Sequence, residues 1–249
     1  MGCRKTALIA AVGIIALSHF AAAEDMPVRA FATTPVIDPV YNWSGFYAGA
    51  NIGYGRADMG WTNRESGPAA TFFDAIPGDT LSNSMSGYTG GGQVGYNYQA
   101  GHLVYGIEAT INATSIEGSP ASTFGAADDQ FEVKLKSLVV TTARIGYAWQ
   151  NALAYGKAGY AIARISSSVT DDVAPTIGSG SDSQWRSGPA AGFGVEYALT
   201  RNLSIAVDYE YIRLEAGLYQ LGGSSGSYVW DLDRQNISRV TGRLTYRFY

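Results

Sequence analysis

Five ionisable residues stand at matching distances from the ends of alternating apolar segments, and their types suit charge pairing. Glu108 follows Leu103 by five residues, Lys157 follows Ala152 by five and Asp208 follows Leu203 by five, while Arg144 precedes Trp149 by five and Arg243 precedes Phe248 by five. At about 3.3 Å of rise per residue, strands that begin at one level bring all five to a similar depth. Two acids and three bases that meet inside a closed structure predict a salt-bridge belt, since an isolated buried charge is costly. Glu196 is expected below this belt, within reach of Arg247, and Glu210 and Arg239 above it.

Other spacings imitate cofactor or catalytic motifs without the context those need. Gly90 to Gly95 reads G-x-G-x-x-G, but a dinucleotide loop must open a helix after a strand, and Tyr96-Asn97-Tyr98 continues an alternating strand. These glycines are expected to thin the wall or to leave room for inward neighbours. Gly222 to Gly226 reads G-x-S-x-G, but a nucleophile elbow needs a strand-to-helix turn and a histidine partner. His102 is the one histidine beyond the N-terminal leader, in a turn at the opposite end from Ser224. With so few cysteine and histidine side chains no transition-metal site is visible. The acid pairs Asp128-Asp129 and Asp171-Asp172 read as solvated loop charge rather than a hard-cation site. No cofactor and no enzymatic activity are expected.

The elements that must position the five charges are strands. The last one sets Val240, Leu244, Tyr246 and Phe248, with Gly242, against Arg239, Thr241, Arg243, Thr245 and Arg247. A soluble sheet buries its apolar face and wets its charged one, whereas a strand closing a membrane barrel turns the apolar face to lipid and the arginines to a shared interior. Six earlier segments show the same division. They begin with Phe46, Ala48, Ala50, Ile52 and Tyr54 against Tyr47, Gly49, Asn51, Gly53 and Gly55, and Tyr88, Val94, Tyr96 and Tyr98 against Thr89, Gln93 and Asn97. Leu103 to Ile111 alternates with Gly106, Glu108, Thr110 and Asn112 inward. The fourth segment sets Phe131, Val133, Leu135, Val139, Ala143, Ile145, Tyr147 and Trp149 against Glu132, Lys134, Lys136, Thr142 and Arg144. The sixth sets Phe193 and Val195 against Glu196, and the seventh Ile205, Val207, Tyr209 and Tyr211 against Asp208 and Glu210. The fifth, Ala152 to Arg164, alternates less cleanly. Lys157 is turned inward there because a lysine facing lipid near the midplane costs roughly 2–4 kcal/mol.

Short turns at 99–102, 150–151 and 199–202 alternate with long Gly/Ser-rich segments at about 57–84, 115–130, 166–187 and 215–236, which are expected to be loops. Eight strands in this rhythm predict an all-β fold: an eight-stranded antiparallel transmembrane β-barrel with short periplasmic turns and four long extracellular loops. Trp43, Trp149 and tyrosines near strand ends fit an interfacial aromatic girdle.

Composition agrees with this class. Arg4 and Lys5, an apolar run from about Ala7 to Leu17 and Ala21-Ala22-Ala23 read as a secretory signal peptide over 1–23, cleaved near Ala23. Cys3 lies before the apolar run, so neither a lipid anchor nor a disulfide is expected. Residues 24–40, with Pro27, Pro35 and Pro39, read as a flexible periplasmic lead, and 41–249 as the barrel. Loss of Arg4 and Lys5 takes the formal charge from −4 to −6, which argues against a nucleic-acid partner. Glycine supplies 31 of 249 residues, and no later apolar run reaches the ~18 residues of a helical span. A membrane-spanning chain without such a helix must close a barrel, because lipid satisfies no backbone group.

Four motifs sharpen the assignment. Trp43-Ser-Gly-Phe-Tyr-Ala-Gly-Ala-Asn-Ile-Gly-Tyr-Gly55, Ala143-Arg-Ile-Gly-Tyr-Ala148, Tyr155-Gly-Lys-Ala-Gly-Tyr-Ala161 and Gly194-Val-Glu-Tyr-Ala198 together resemble the small porin-like outer-membrane β-barrel proteins of alpha-proteobacteria, of the opacity type, from about residue 41 to the end. The resemblance implies insertion by the outer-membrane assembly machinery, which reads an aromatic residue ending the last strand. Here Tyr249 follows Tyr-Arg-Phe248 and stands out of phase with Tyr246 and Phe248. Members of the family are described as structural proteins, as host-interaction antigens and, in one branch, as haem binders.

The leading expectation is a structural barrel of the bacterial outer membrane with a side-chain-filled interior, contributing to envelope integrity in contact with lipid and lipopolysaccharide. One alternative is a surface receptor or adhesin. Trp61, Phe72, Phe73, Phe124, Tyr219, Tyr228 and Trp230 would then recognise a host-surface ligand or a haem-like molecule. Another is a small-solute porin, against which the narrow lumen of eight strands speaks.

Overall fold

Period-two alternation dictates extended chain, and β-branched and aromatic residues on one face of each segment make that chain a strand. The computed structural model describes residues 41–63, 80–118, 129–171, 178–223, 226–232 and 234–249, with backbone alone at 61, 63, 81, 83, 129–131, 169–171, 178–180, 218–223 and 226–232. The expected signal peptide and periplasmic lead lie outside the described residues, as do Phe72, Phe73 and Phe124. For Trp61, Tyr219, Tyr228 and Trp230 only the backbone is described, so their side chains lie outside as well.

The strands are β1 (Gly45–Asn63), β2 (Thr80–Ala100), β3 (Leu103–Gly118), β4 (Asp129–Trp149), β5 (Ala152–Asp171), β6 (Gly178–Ala198), β7 (Leu203–Leu214), β8 (Gly217–Gly223), β9 (Gly226–Leu232) and β10 (Gln235–Phe248). Each of β1 to β6 pairs antiparallel with the next, β10 pairs with β7, and β10 closes on β1 from Phe46↔Phe248 to Asp58↔Asn236. Eight strands, β1 to β7 and β10, therefore form a closed antiparallel barrel. The two-residue turn after β2 contains Gly101 (φ +63°), and the turn after β4 contains Gln150 (φ 48°), the left-handed conformation that tight hairpins require.

The strands run further than the sequence pattern indicates. Segments expected as loops at 57–84, 115–130 and 166–187 contribute strand up to Asn63, from Thr80, up to Gly118, from Asp129, up to Asp171 and from Gly178. The segment 215–236 contains the hairpin β8–β9, and β9 pairs with the end of β1 at Trp61↔Leu232 and Asn63↔Trp230. In these extensions polar residues face outward, so a search for apolar residues on the outer face stops too early.

One phase assignment is corrected. Val133 and Leu135 were expected on the lipid face and Glu132, Lys134 and Lys136 inside. Instead Val133 and Leu135 are buried in the lumen and Lys136 is exposed outside. The β4–β5 register skips Lys136 between Leu135 and Ser137, and the β3–β4 register shifts at the same level. One extra residue in a strand reverses the faces beyond it.

Candidate functional site

The inward faces of the eight strands meet in three stacked layers. In the middle layer the structure brings all five predicted charges together. Asp208 Oδ2 accepts from Lys157 Nζ at 2.9 Å and from Arg243 Nη1 at 2.8 Å, and Arg243 Nη2 donates to Glu108 Oε2, which also lies 3.7 Å from Arg144 Nη1. All five are at least nine-tenths buried. The network continues down through Arg144 to Glu196 (3.4 Å) and from Glu196 to Arg247 (3.5 Å). Upward, Lys157 reaches Glu210 (3.2 Å), which pairs with Arg239 (2.5 Å).

Position around the barrel makes this arrangement consequential. In the order β1 to β7 then β10, the strands β3 and β7 stand four apart, on opposite walls. Arg243 of β10 bonds Glu108 of β3 and Asp208 of β7 at once, so the ion pairs cross the full lumen. A second crossing runs between the opposed strands β1 and β5. The Arg144 guanidinium sits 4.7 Å from the Tyr47 ring centroid and 5.0 Å from that of Tyr155. Tyr47 Oη donates to Glu108 at 2.8 Å, Tyr155 Oη donates to Asp208, and Arg144 Nε donates to Asn97 Oδ1 at 2.9 Å.

Tyr47, Tyr155 and Asn97 belong to this site although residue type did not single them out. A signal for the tyrosines existed in the register. Tyr47 is paired with Gly95 and Tyr155 with Gly194. A Cβ at Gly95 would lie 2.3 Å from Tyr47 Oη, and one at Gly194 would lie 2.8 Å from Tyr155 Oη. A bulky inward aromatic opposite an inward glycine marks a side chain that folds across its neighbour. Gly91 and Gly95 of the G-x-G-x-x-G stretch thus serve inward packing within β2, where no helix follows.

The floor is aromatic. Trp43, expected in the girdle, is instead fully buried, packed with Val104, Ala148, Leu153, Tyr155 and Ala198. Its backbone N–H donates to Gln99 Oε1 at 2.6 Å, and its ring lies 4.8 Å beneath the Arg247 guanidinium. A short polar anchor before β1 has drawn the indole inside, where a cation waits for its π face. Tyr41 Oη donates to the Arg201 carbonyl at 2.5 Å, and burial pushes its pKa up, so it remains a donor. Trp149 stays outside, partly exposed, as a girdle residue does. The roof is apolar: Met59, Met85, Ile116, Leu135, Leu138, Ile165, Ile212, Leu214 and Ile237 are buried in one cluster above Arg239 and Glu210.

His102 stays in the turn between β2 and β3, with Nδ1 2.9 Å from the Ala148 carbonyl and its ring stacked on Tyr147. Ser224 lies outside the described residues. Among the described residues no three His, Cys, Asp or Glu side chains converge on a metal position.

An apolar outer belt around an ionic interior on an eight-stranded closed sheet defines a transmembrane β-barrel of the bacterial outer membrane. The chain belongs to the family described as outer membrane protein beta-barrel domain, which matches residues 7–248. It is similar to the 31 kDa outer-membrane immunogenic protein of Brucella melitensis biotype 1, 27% identical over 98% of this chain and 100% of that protein. It is also similar to the 22 kDa outer membrane protein of Rhizobium leguminosarum bv. viciae, 28% identical over 83% of this chain and 80% of that one. Among solved structures, the outer membrane protein OprG of Pseudomonas aeruginosa covers 83% of this chain and 97% of its own, with 13% identity and a TM-score of 0.44. The protein is a structural outer-membrane β-barrel.

Proposed function

We propose that the barrel is closed to solutes and serves the envelope as a rigid transmembrane body, its lumen blocked at the level of the ion-pair belt. The observation that carries this reading is the pair of hydrogen bonds that Arg243 donates to opposite walls, to Glu108 and to Asp208. Eight strands leave an interior just wide enough for side chains to fill, and the apolar roof and aromatic floor add two further seals. Planar-bilayer recording tests it. Purified monomer should insert without stable conductance steps, and reproducible nanosiemens steps would refute a closed lumen in favour of the small-solute porin.

Family membership also supports contact with lipid and lipopolysaccharide and insertion by the outer-membrane assembly machinery. A second reading is recognition of a host-surface ligand. It draws support from the name of the Brucella relative, an immunogenic protein, and from the hairpin β8–β9, which adds a two-stranded surface element above the closed wall. Deletion of 217–232 should leave folding intact, and loss of host-cell adhesion in that variant alone would favour recognition. A hemin titration without a Soret shift would remove the haem-like ligand.

A further inference from the structure

The register shift at Lys136 does more than reverse β4. With Leu135 and Leu138 both buried inside, two consecutive residues, Lys136 and Ser137, fall between them on the outer side, and Lys136 is exposed. Ser137 pairs with Arg164 of β5, which is exposed outside, and Arg164 pairs with Trp185 of β6. The guanidinium lies 5.9 Å from the Trp185 ring centroid, and that ring is 59% exposed. Two cations and an indole thus stand in one row across three neighbouring strands, about 5 Å apart.

The level of the row matters as much as its composition. Directly below it the outer face is apolar, with Val139 on β4 and Tyr160 and Ile162 on β5. Directly above it stand Lys134, Glu132 and Glu117, which pair with one another at 2.5 and 3.8 Å. Across the barrel on β1, Arg56 at the corresponding edge is paired with Asp58 at 3.3 Å. Among the described residues, no carboxylate lies within 4 Å of Lys136 or Arg164. Two uncompensated cations at the outer edge of the lipid-facing band, next to an interfacial tryptophan, match an anionic headgroup whose acyl chains continue down the wall.

We propose that Lys136, Arg164 and Trp185 form a docking surface for the phosphorylated headgroup of lipopolysaccharide, the anionic lipid of the outer leaflet. Phosphate oxygens would accept from the Lys136 ammonium and the Arg164 guanidinium, and the sugar ring would lie against the indole. The site rests on the contact with lipopolysaccharide proposed above and is independent of whether the lumen conducts.

The test uses the full chain refolded in detergent micelles and titrated with purified lipopolysaccharide, with folding checked by heat-dependent gel migration. Lys136→Gln/Arg164→Gln should lower the apparent affinity about tenfold. The control Arg56→Gln/Arg213→Gln, which makes the same change in net charge on β1 and β7, should lower it by less than about threefold. Enzymatically dephosphorylated lipopolysaccharide should weaken binding to the unaltered protein by a similar factor and leave the Lys136→Gln/Arg164→Gln variant unaffected. Equal loss in both double variants, no loss in either, or equal competition by phosphatidylglycerol would overturn the assignment. Should the double variant fail to fold, Lys136→Gln and Arg164→Gln singly, at about threefold each, carry the same test.

Discussion

The barrel wall below Tyr54, Tyr88, Ile162 and Tyr211 and the wall above them obey opposite rules. Below, the outer face is apolar and the inner face carries Glu108, Arg144, Lys157, Asp208 and Arg243. Above, Arg56, Asp58, Ser84, Ser86, Glu117 and Arg213 face outward, while Met59, Met85, Ile116, Ile212 and Ile237 fill the inside. The same strands change solvents partway along. Where lipid surrounds the wall, burying apolar side chains inside gains nothing over leaving them in hydrocarbon, and a paired ionic interior is tolerated. Where water surrounds it, apolar burial at roughly 25 cal/mol per Å² becomes the driving term, and the upper barrel is built like a soluble one. Most strands make the change by composition alone, and β4 makes it with a register shift at Lys136.

The comparison breaks or sharpens at defined positions. In the lower half, Arg243→Met strips partners from Glu108 and Asp208 together and leaves both carboxylates buried. It should cost about 3–5 kcal/mol, measured by urea unfolding in lipid vesicles, and a loss below about 1 kcal/mol would mean that the belt is solvated rather than mutually paired. In the upper half, Leu138→Ala opens a cavity in the apolar roof and should cost about 2–5 kcal/mol in the same assay. On the outer face the two halves should diverge. Val94→Lys, within the lipid-facing band, should cost about 2–4 kcal/mol, whereas Ser86→Lys, eight residues earlier on the same strand and face, should stay within about 0.5 kcal/mol. Similar costs at these two positions would mean that the membrane boundary does not lie near Tyr88.

Much of the lower half was legible because strict alternation there couples face to residue type. Counting from the turns put Glu108, Arg144, Lys157, Asp208 and Arg243 at one level, and it set Arg247 near Glu196. The upper half was less legible for the converse reason. The outward residues there are polar and the inward ones apolar, so 57–63 or 80–84 resembles loop when an apolar outer face is the criterion. The Lys136 shift was hidden because an extra residue leaves no mark on composition.

By itself the sequence determined the class of fold, the strand order around the wall, the depth of the ionic belt and the outer-membrane setting. These follow from local periodicity and from the short turns. Only the tertiary structure decided which charges are paired across the lumen, that Trp43 turns inward beneath Arg247, and that Lys136 and Arg164 stand in one row beside Trp185. Such contacts depend on barrel closure and on register between strands far apart in the chain, and neither quantity is encoded within a single strand.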